Sequence, residues 1–247
     1  MKFVRKQLLS ILGNEGYLRL VSKVYLKMVT NGMLKKQYPE LFYLKTVLAE
    51  GDKCIDIGAN LGYYSTMMSK IVGDSGWVYA VEPVPMFRDI WKKNVQMSRL
   101  SNLTLFPFAL GKQTCKVKMG MPEYEGIAHH GMTKIADSAN EKYVQFFDAE
   151  MRNPDELFAE LDKIAFVKCD VEGYESEVFS NMVGFLQKQK PVVQSELSGQ
   201  ENRKKVINIF QGLGYTTHLL RGGKLELASQ QDIETAKQDF YFLPHIA

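Results

Sequence analysis

The chain alternates short apolar segments with amphipathic ones, and this rhythm constrains its fold more than any other feature. Strand-like runs and segments with helical spacing of apolar residues follow one another without a break. In chain order the first five segments are residues 53–57, 62–72, 77–81, 85–100 and 103–106. Strands that alternate with helices at such short spacing indicate βαβ units. We therefore expect an α/β fold with a mostly parallel, doubly wound sheet.

The same rhythm resumes after a long interval. Further strands are predicted at 164–169, 191–197, 215–220 and 239–243, and further helices at 174–186 and 201–213. The pair Gly222-Gly223 predicts a hairpin turn between the last strands, which favours an antiparallel edge.

Residues 111–163 are predicted to be an insertion between the third and fourth main strands. Residues 116–119 and 143–147 resemble strands, and 155–161 resembles a helix that Asn153 caps. Long insertions in α/β domains are usually functional, so we expect this one to bind the substrate. Because no linker interrupts the pattern, we predict one domain over 38–247, preceded by a basic helical extension over 1–37.

The N-terminal extension is strongly basic. Residues 1–36 carry eight Lys or Arg against one acid, Glu15, whereas the remainder carries 23 bases and 27 acids. Apolar residues recur there at helical spacing: Leu18, Val21, Tyr25, Met28 and Val29. Such a helix either contacts an anionic membrane peripherally, docks a partner, or packs its apolar stripe on the domain. The sequence predicts no nucleic-acid partner and leaves the oligomeric state open.

Cysteine content and hydropathy favour a cytoplasmic protein. Cys54, Cys115 and Cys169 form no CxxC pair and are too scattered for a disulfide framework. No convincing signal peptide follows the N-terminal basic residues, and no apolar stretch approaches the length of a bilayer span.

Four of the five predicted strand tips carry a glycine or a carboxylate. In an open α/β sheet, ligands bind outside the carboxyl ends of the strands, near the switch point. The tips are, in chain order, the segment Asp56 to Gly62, the pair Glu82-Pro83, the pair Ala109-Leu110, the segment Asp170 to Gly173, and Glu196. Together these tips predict a nucleotide-like cofactor site.

The first tip differs from a dinucleotide-binding loop. Such loops use G-x-G-x-x-G so that the backbone can approach a pyrophosphate. Here Gly58 and Gly62 are spaced G-x-x-x-G, and Asn60 stands where the second glycine would be. Glu82, at the end of the second strand, suits the two hydroxyls of a ribose. These features favour an adenosine-containing cofactor that lacks a pyrophosphate.

The motifs resemble those of FkbM-family methyltransferases over roughly residues 38–244. The matching segments are Asp56 to Gly62, Val81-Glu82-Pro83, Phe147-Asp148, Val167 to Glu175, Val193 to Glu196, and Asp239 to Pro244. The chain departs from the family pattern by apolar exchanges at Phe147, Cys169 and Tyr174. The resemblance implies a Rossmann-like methyltransferase fold and S-adenosyl-L-methionine as cofactor. The predicted cofactor-binding residues are Asp56, Gly58, Ala59, Asn60, Gly62, Glu82, Pro83, Ala109 and Asp170.

Four residues are candidates for catalysis: Asp170, Glu172, Glu196 and His130. A hydroxyl acceptor loses its proton as the new bond forms, and a carboxylate or histidine can accept that proton. Our primary expectation is that the protein has no metal site. Alternatively, the three carboxylates bind a divalent metal such as Mg²⁺. Glu172 also fits a purely structural role near a helix N-terminus. The alternative for His130 is a solvated position in a loop.

The leading functional hypothesis is O-methylation of a hydroxyl on a sugar, glycan or small metabolite by in-line displacement. Holding the reacting atoms in line supplies roughly 7–11 kcal/mol of the barrier in well-oriented reactions. The alternatives are an NAD(P)-dependent oxidoreductase, which Asn60 disfavours, and a catalytically silent cofactor-binding scaffold.

Overall fold

A computed structural model describes residues 2–124, 127–136 and 142–245 of the chain. Its strands are β1 (Lys53–Ile57), β2 (Trp77–Val81), β3 (Leu103–Phe106), β4 (Phe108–Leu110), β5 (Cys115–Tyr124), β6 (Ile127–Ala128), β7 (Lys134–Ile135), β8 (Tyr143–Arg152), β9 (Ile164–Cys169), β10 (Val192–Ser195), β11 (Tyr215–Arg221), β12 (Lys224–Leu227) and β13 (Phe240–Pro244). Its helices are α1 (Lys2–Thr30), α2 (Pro39–Val47), α3 (Tyr63–Val72), α4 (Pro85–Met97), α5 (Pro154–Leu157), α6 (Glu175–Ser180), α7 (Val183–Gln189), α8 (Gln200–Gly212) and α9 (Gln230–Thr235), with a 3-10 turn at His130–Met132.

The main sheet has eight strands in the order β12-β11-β13-β10-β9-β1-β2-β3. The five strands from β10 to β3 pair in parallel. β13 runs antiparallel to both β10 and β11, and β11 and β12 form the hairpin at the edge. The predicted mostly parallel sheet with an antiparallel edge is confirmed.

Two hydrophobic cores cover the two faces of this sheet. Alternate residues of β1 point to opposite faces, so Ile55 belongs to one core and Cys54 to the other. The first core includes Phe210 of α8 and Phe242 of β13, whose rings stack with centroids 3.9 Å apart. The second core lies under α2 and α3. Helices on both faces make the sheet doubly wound, as predicted.

The predicted insertion begins between the third and fourth main strands, β3 and β9, and it forms a second sheet. This sheet has the order β4-β8-β5-β6, with β7 beside β5. β4 pairs in parallel with β8, and a single residue separates it from the end of β3, so the chain passes directly from the first sheet into the second. The predicted strands at 116–119 and 143–147 are confirmed as parts of β5 and β8. Residues 125–126 and 137–141 of the insertion lie outside the described chain.

The basic extension is the long helix α1, which bends at Gly13, where the backbone leaves the helical region (φ 64°, ψ 177°). Leu18, Leu26 and Val29 are buried against the domain. The apolar stripe predicted from the sequence therefore packs on the core. Within the described residues, no helix is both long and apolar enough to cross a membrane.

Two predicted helices differ from the structure for tertiary reasons. The helix expected over 174–186 is two helices, α6 and α7, and the one expected over 155–161 is the short α5. The carboxylate of Asp155 accepts hydrogen bonds from the backbone N–H groups of Gly184 and Phe185 at the start of α7. A cap supplied by a distant residue satisfies the free N–H groups of a new helix start. Local sequence patterns do not reveal such a cap.

The ring stack between Phe210 and Phe242 predicts a large stability loss on truncation. We expect Phe210→Ala to lower the free energy of unfolding by about 3–5 kcal/mol, because the site is fully buried and a cavity remains. Urea unfolding measures this change. The control is Phe146→Ala, whose ring is 54% exposed and whose loss should cost no more than about 0.5 kcal/mol. Equal losses in the two variants would contradict this account of the core.

Candidate functional site

A cavity opens at the carboxyl ends of β1, β2 and β9, between the two sheets. The space in and around it, open solvent included, is about 640 Å³. Residues from the loop after β1, from the ends of β2 and β9, and from the second sheet line it. Of the predicted site residues the lining contains Gly58, Asn60, Glu82, Pro83, Ala109, Asp170 and Glu172.

Gly58 is the point where the loop after β1 touches β9. Asp170 donates its N–H to the carbonyl of Ile57 (3.1 Å), which holds the carbonyl of Asp170 beside Gly58. A Cβ atom at position 58 would lie 1.9 Å from that carbonyl oxygen, and the φ of Gly58 is +78°. Only glycine satisfies both conditions. The loop therefore depends on this residue.

Glu82 joins the first two strand tips. Its Oε2 accepts the N–H of Asn60 and its Oε1 accepts the N–H of Val84, each at 2.8 Å. Burial raises the pKa of Glu82 to about 7, and the two backbone N–H groups partly offset that effect. Asn60 has a left-handed backbone (φ 48°), and its buried Oδ1 has no hydrogen-bond partner within the described chain.

Three predicted cofactor residues lie behind the loop rather than in the cavity lining. Asp56 is fully buried, and its Oδ2 accepts the hydroxyl of Ser65 at 2.5 Å. The Ser65 hydroxyl in turn accepts the indole N–H of Trp91 at 2.8 Å. Gly62 and Ala59 pack against the same indole. These contacts place the three residues as internal supports of the loop.

The acidic residues meet at the ends of β9 and β10. Asp170 and Glu172 both line the cavity, and Glu172 has a left-handed backbone (φ 54°). Burial and the charges of Asp170 and Glu196 raise the pKa of Glu172 to about 8. Partial desolvation and the charge of Asp170 raise the pKa of Glu196 to about 7. A strained backbone and a raised pKa at one residue are typical of functional sites.

Lys168 partly neutralises this acidic cluster. Its buried ammonium group lies 2.9 Å from Oδ2 of Asp170 and 4.7 Å from the ring centre of Tyr64. Burial alone would lower the pKa of Lys168, but the charges of Asp170 and Asp56 outweigh it and keep the pKa above its ordinary value. Lys168 is thus paired with a nearby acid, as a buried lysine needs to be.

A polar layer continues behind the lysine toward β13. Gln194 donates its side-chain N–H to Oδ2 of Asp239 (2.7 Å) and to the hydroxyl oxygen of Tyr64 (3.0 Å). Burial raises the pKa of Asp239 to about 6, and the hydrogen bond from Gln194 and the charge of Lys168 oppose that rise. Neither Gln194 nor Asp239 was predicted to belong to the site, although both lie in segments that resemble the family motifs.

Glu175 is a further residue whose role was not predicted from the sequence. Its Oε1 accepts the N–H groups of Val171 (3.0 Å) and Gly173 (3.1 Å), and its Oε2 accepts the side-chain amide of Asn202 (2.6 Å). One buried carboxylate thus fixes the loop that carries Glu172. Its position at the end of the Val167 to Glu175 block, which resembles a family motif, is the signal that could have revealed this role.

The second sheet supplies the opposite wall of the cavity, together with the start of α4. Met119 of β5, Ile135 of β7 and Thr133 between them line it beside Phe87. His130 lies beyond this wall, in a small separate cavity with Tyr17 and Leu18 of α1, and its ring meets the edge of Phe87 at 6.2 Å between centroids. The structure therefore does not bring His130 to the carboxylates.

The metal hypothesis is not supported by the side-chain geometry. Among the residues that the structure describes, no group of three or more His, Cys, Asp or Glu side chains is arranged to hold a metal ion. One oxygen of Asp170 already accepts a hydrogen bond from the ammonium group of Lys168, which competes with a metal ion for that oxygen. The set Asp170, Glu172 and Glu196 is thus corrected from a possible ligand set to an acidic cluster.

Comparison with solved structures identifies the fold. A methyltransferase FkbM from Methylobacillus flagellatus KT superposes with a TM-score of 0.55 at 14% identity and covers 79% of this chain and 44% of its own. A putative rRNA-methylase from Clostridium thermocellum gives a TM-score of 0.51 at 10% identity, over 83% and 91% of the two chains. The fold is that of the Rossmann-like S-adenosylmethionine-dependent methyltransferases.

Sequence comparison identifies the family within that class. The family model described as the methyltransferase FkbM domain matches residues 56–217. The chain belongs to the FkbM family of methyltransferases, as the sequence motifs predicted. This family membership argues against the alternative of an NAD(P)-dependent oxidoreductase.

Curated relatives match over short segments. Protein-L-isoaspartate O-methyltransferases from Fervidobacterium nodosum and Methanosarcina mazei are 34% and 41% identical over 58 residues, which is 24% of this chain. A probable cobalt-precorrin-6B C(15)-methyltransferase from Sulfolobus acidocaldarius is 36% identical over 73 residues, or 30% of this chain. The chain spans less than a third of the two isoaspartate enzymes, at 29% and 24% of their lengths.

The contact at Gly58 predicts a selective defect. We expect Gly58→Ala to abolish measurable binding of S-adenosylhomocysteine, because the new Cβ must displace the carbonyl of Asp170. Isothermal titration calorimetry measures the affinity. The matched control is Gly223→Ala, which also has a positive φ (+82°) but open space around it. That control should lose about 1–2 kcal/mol of stability from backbone strain and keep its affinity. Unchanged affinity in Gly58→Ala would contradict the contact.

Proposed function

We propose that the chain transfers the methyl group of S-adenosyl-L-methionine to a hydroxyl oxygen of a glycan or small polar metabolite. One observation carries this proposal: a single cavity is lined by Glu82 at one strand tip and by Glu172 at another. The first suits the adenosine end of the donor, and the second suits proton removal from the acceptor. The family membership established above supports methyl transfer as the reaction.

The residues around the loop after β1 fit the donor. Gly58 lines the cavity and lets the loop pack against the carbonyl of Asp170. Glu82 offers carboxylate oxygens for hydroxyl groups, and Asn60 offers a buried oxygen that has no partner within the described chain. Pro83, Ala109 and Asp170 complete the predicted binding set in the lining. When bound, the donor supplies an activated methyl group on a sulfonium centre. The protein contributes binding, orientation and exclusion of water.

Glu172 is the proposed general base. It lines the cavity, and the hydrogen bonds of Glu175 to Val171 and Gly173 hold its loop in place. Burial, together with the charges of Asp170 and Glu196, raises the pKa of Glu172 and so its affinity for a proton, which a base needs in order to accept one from a hydroxyl group. Asp170 stays paired with Lys168 and so helps to set the field around Glu172.

The acidic cluster favours a hydroxyl acceptor over a carboxylate one. A carboxylate acceptor is already ionised and needs no base. It would also be repelled by Glu172, Asp170 and Glu196 at close range, since like charges crowded together raise the energy of the ionised state. The isoaspartate enzymes that share short segments with this chain are therefore not a guide to its acceptor. The wall from the second sheet is the proposed contact surface for that acceptor.

Donor choice is tested by thermal shift. We expect S-adenosylhomocysteine to raise the melting temperature by several degrees and NAD to leave it unchanged, because a ligand that binds only the native state stabilises it. The Gly58→Ala variant is the control for site-specific binding. A shift with NAD and none with the thioether would overturn the donor assignment.

Acceptor chemistry is tested with donor carrying a tritiated methyl group and polar cell extracts. We expect label in glycan or small-metabolite fractions that survives mild alkali, because methyl ethers are stable to base and carboxyl methyl esters are not. Alkali-labile label would assign carboxyl methylation instead. Absence of transfer across extract fractions, with the donor still bound, would favour the silent scaffold.

The raised pKa of Glu172 predicts the pH dependence of the rate. A general base acts in its ionised form, so kcat/KM should rise with pH and level off above about 8, where Glu172 is ionised. Glu172→Gln should lower kcat by roughly 100- to 10,000-fold and remove that dependence. Glu177→Gln, an exposed residue on α6, is the matched control. A Glu172→Gln profile that matches the wild type would remove Glu172 from the chemistry.

A further inference from the structure

α1 carries a second apolar face that the core does not use. Leu20 and Val24 are 43% and 53% exposed, although they belong to a helix whose other side is buried. Lys23 and Lys27 are exposed beside them. The spacing i, i+3, i+4, i+7 puts these four residues on one helix face. The outer face of α1 thus carries two apolar side chains that alternate with two lysines along the helix.

This exposed apolar surface is concentrated in one part of the molecule. Five of the eleven exposed large apolar side chains in the described chain lie within residues 11–33. Besides Leu20 and Val24 they are Ile11, Leu12 and Met33. Single exposed apolar residues are normal, whereas such a concentration marks an interaction surface.

A basic groove adjoins the C-terminal end of α1. Its floor is apolar and includes Val29 and Phe42, and Lys35, Lys45 and Lys70 line its sides. None of the residues lining this groove is acidic. The helix itself carries no acidic residue from position 16 onward, and none follows up to position 36. The outer face of α1 and the groove therefore share one chemistry, apolar side chains ringed by lysines.

We propose that the outer face of α1 and the adjoining lysine-lined groove dock on the surface of an anionic lipid bilayer. Exposed Leu20 and Val24 would enter the boundary between headgroups and acyl chains, and Lys23, Lys27 and the groove lysines would meet the lipid phosphates. A second copy of the chain is a poor occupant, because it would bring the same lysines face to face. A nucleic acid would meet the lysines but leave the leucine and valine in water.

Vesicle flotation of the full chain tests the proposal. We expect flotation with vesicles in which about a third of the lipid is phosphatidylglycerol and none with phosphatidylcholine alone. Binding should disappear at about 1 M salt, where the Debye length falls to about 3 Å. Equal binding to neutral and anionic vesicles, or none to either, would overturn the proposal.

Two variants test the two components of the surface. Lys23→Glu with Lys27→Glu should weaken binding at least tenfold, since each basic residue near the surface contributes roughly fivefold. Its control, Lys204→Glu with Lys205→Glu on α8, makes the same charge change on two exposed lysines elsewhere. Leu20→Ser with Val24→Ser should also release the protein. Its control is Val144→Ser with Phe146→Ser, which removes apolar surface exposed on β8.

Thermal unfolding checks that all four variants are folded. Loss of binding in the two α1 variants, with binding retained in the two controls, supports the proposal. Equal loss in a control would show that general charge or apolarity, and not α1, drives binding, and would overturn it. Sedimentation velocity without lipid provides a further arm, because a dimer that Leu20→Ser with Val24→Ser dissociates would assign this face to a second copy instead.

Discussion

The parallel pairing of β1 with β9 fixes the distance between two loops, and the rest of the site depends on it. The hydrogen bond from Asp170 to Ile57 brings the carbonyl of Asp170 within reach of any Cβ at position 58. Glycine at that position lets the loop after β1 turn toward Glu82, while the backbone after Asp170 turns toward Glu172. Glu82 and Glu172, the residues proposed to bind the donor and to accept the proton, line one cavity because two neighbouring strands end in register.

The second requirement of the site is electrostatic. Asp170, Glu172 and Glu196 crowd the ends of two strands, and buried Lys168 is the cation beside them. Desolvating several carboxylates costs stability, because the ionised forms lose their hydration. Glu175 offsets part of this cost by accepting three hydrogen bonds from the surrounding loop and from α8. Burial and the neighbouring carboxylates together keep the pKa of Glu172 at about 8, well above that of a free carboxyl group.

The parts of the fold set by local pattern were predictable, and the parts set by distant contacts were not. β1, β2 and β3 have the bounds that their apolar runs predicted, since burial on both faces produces such runs. The split between α6 and α7 depends on Asp155, which is far away in sequence. The second sheet eluded prediction because its pairing of β4 with β8 joins strands separated by a long segment.

The site followed the same division. The strand tips predicted Gly58, Asn60, Glu82 and Glu172 because each follows a recognisable strand, and the four residues line one cavity. Asp56 also follows that rule by sequence, but its side chain points to Ser65 and supports the loop from within. His130 was a candidate from its chemistry alone, and its contact with Phe87 depends on how the second sheet packs. Chemistry at a strand end was thus more informative than chemistry within the insertion.

The way the second sheet joins the first has a consequence for divergence within such a protein. β4 and the end of β8 sit beside the main sheet and are tied to it through the short connection after β3. The far part of β5, together with β6 and β7, contributes wall residues such as Thr133 and Ile135 without contributing strands to the main sheet. On the proposed function, exchanges in that part would change the wall that an acceptor meets and leave the contacts of the loop after β1 with β9 intact.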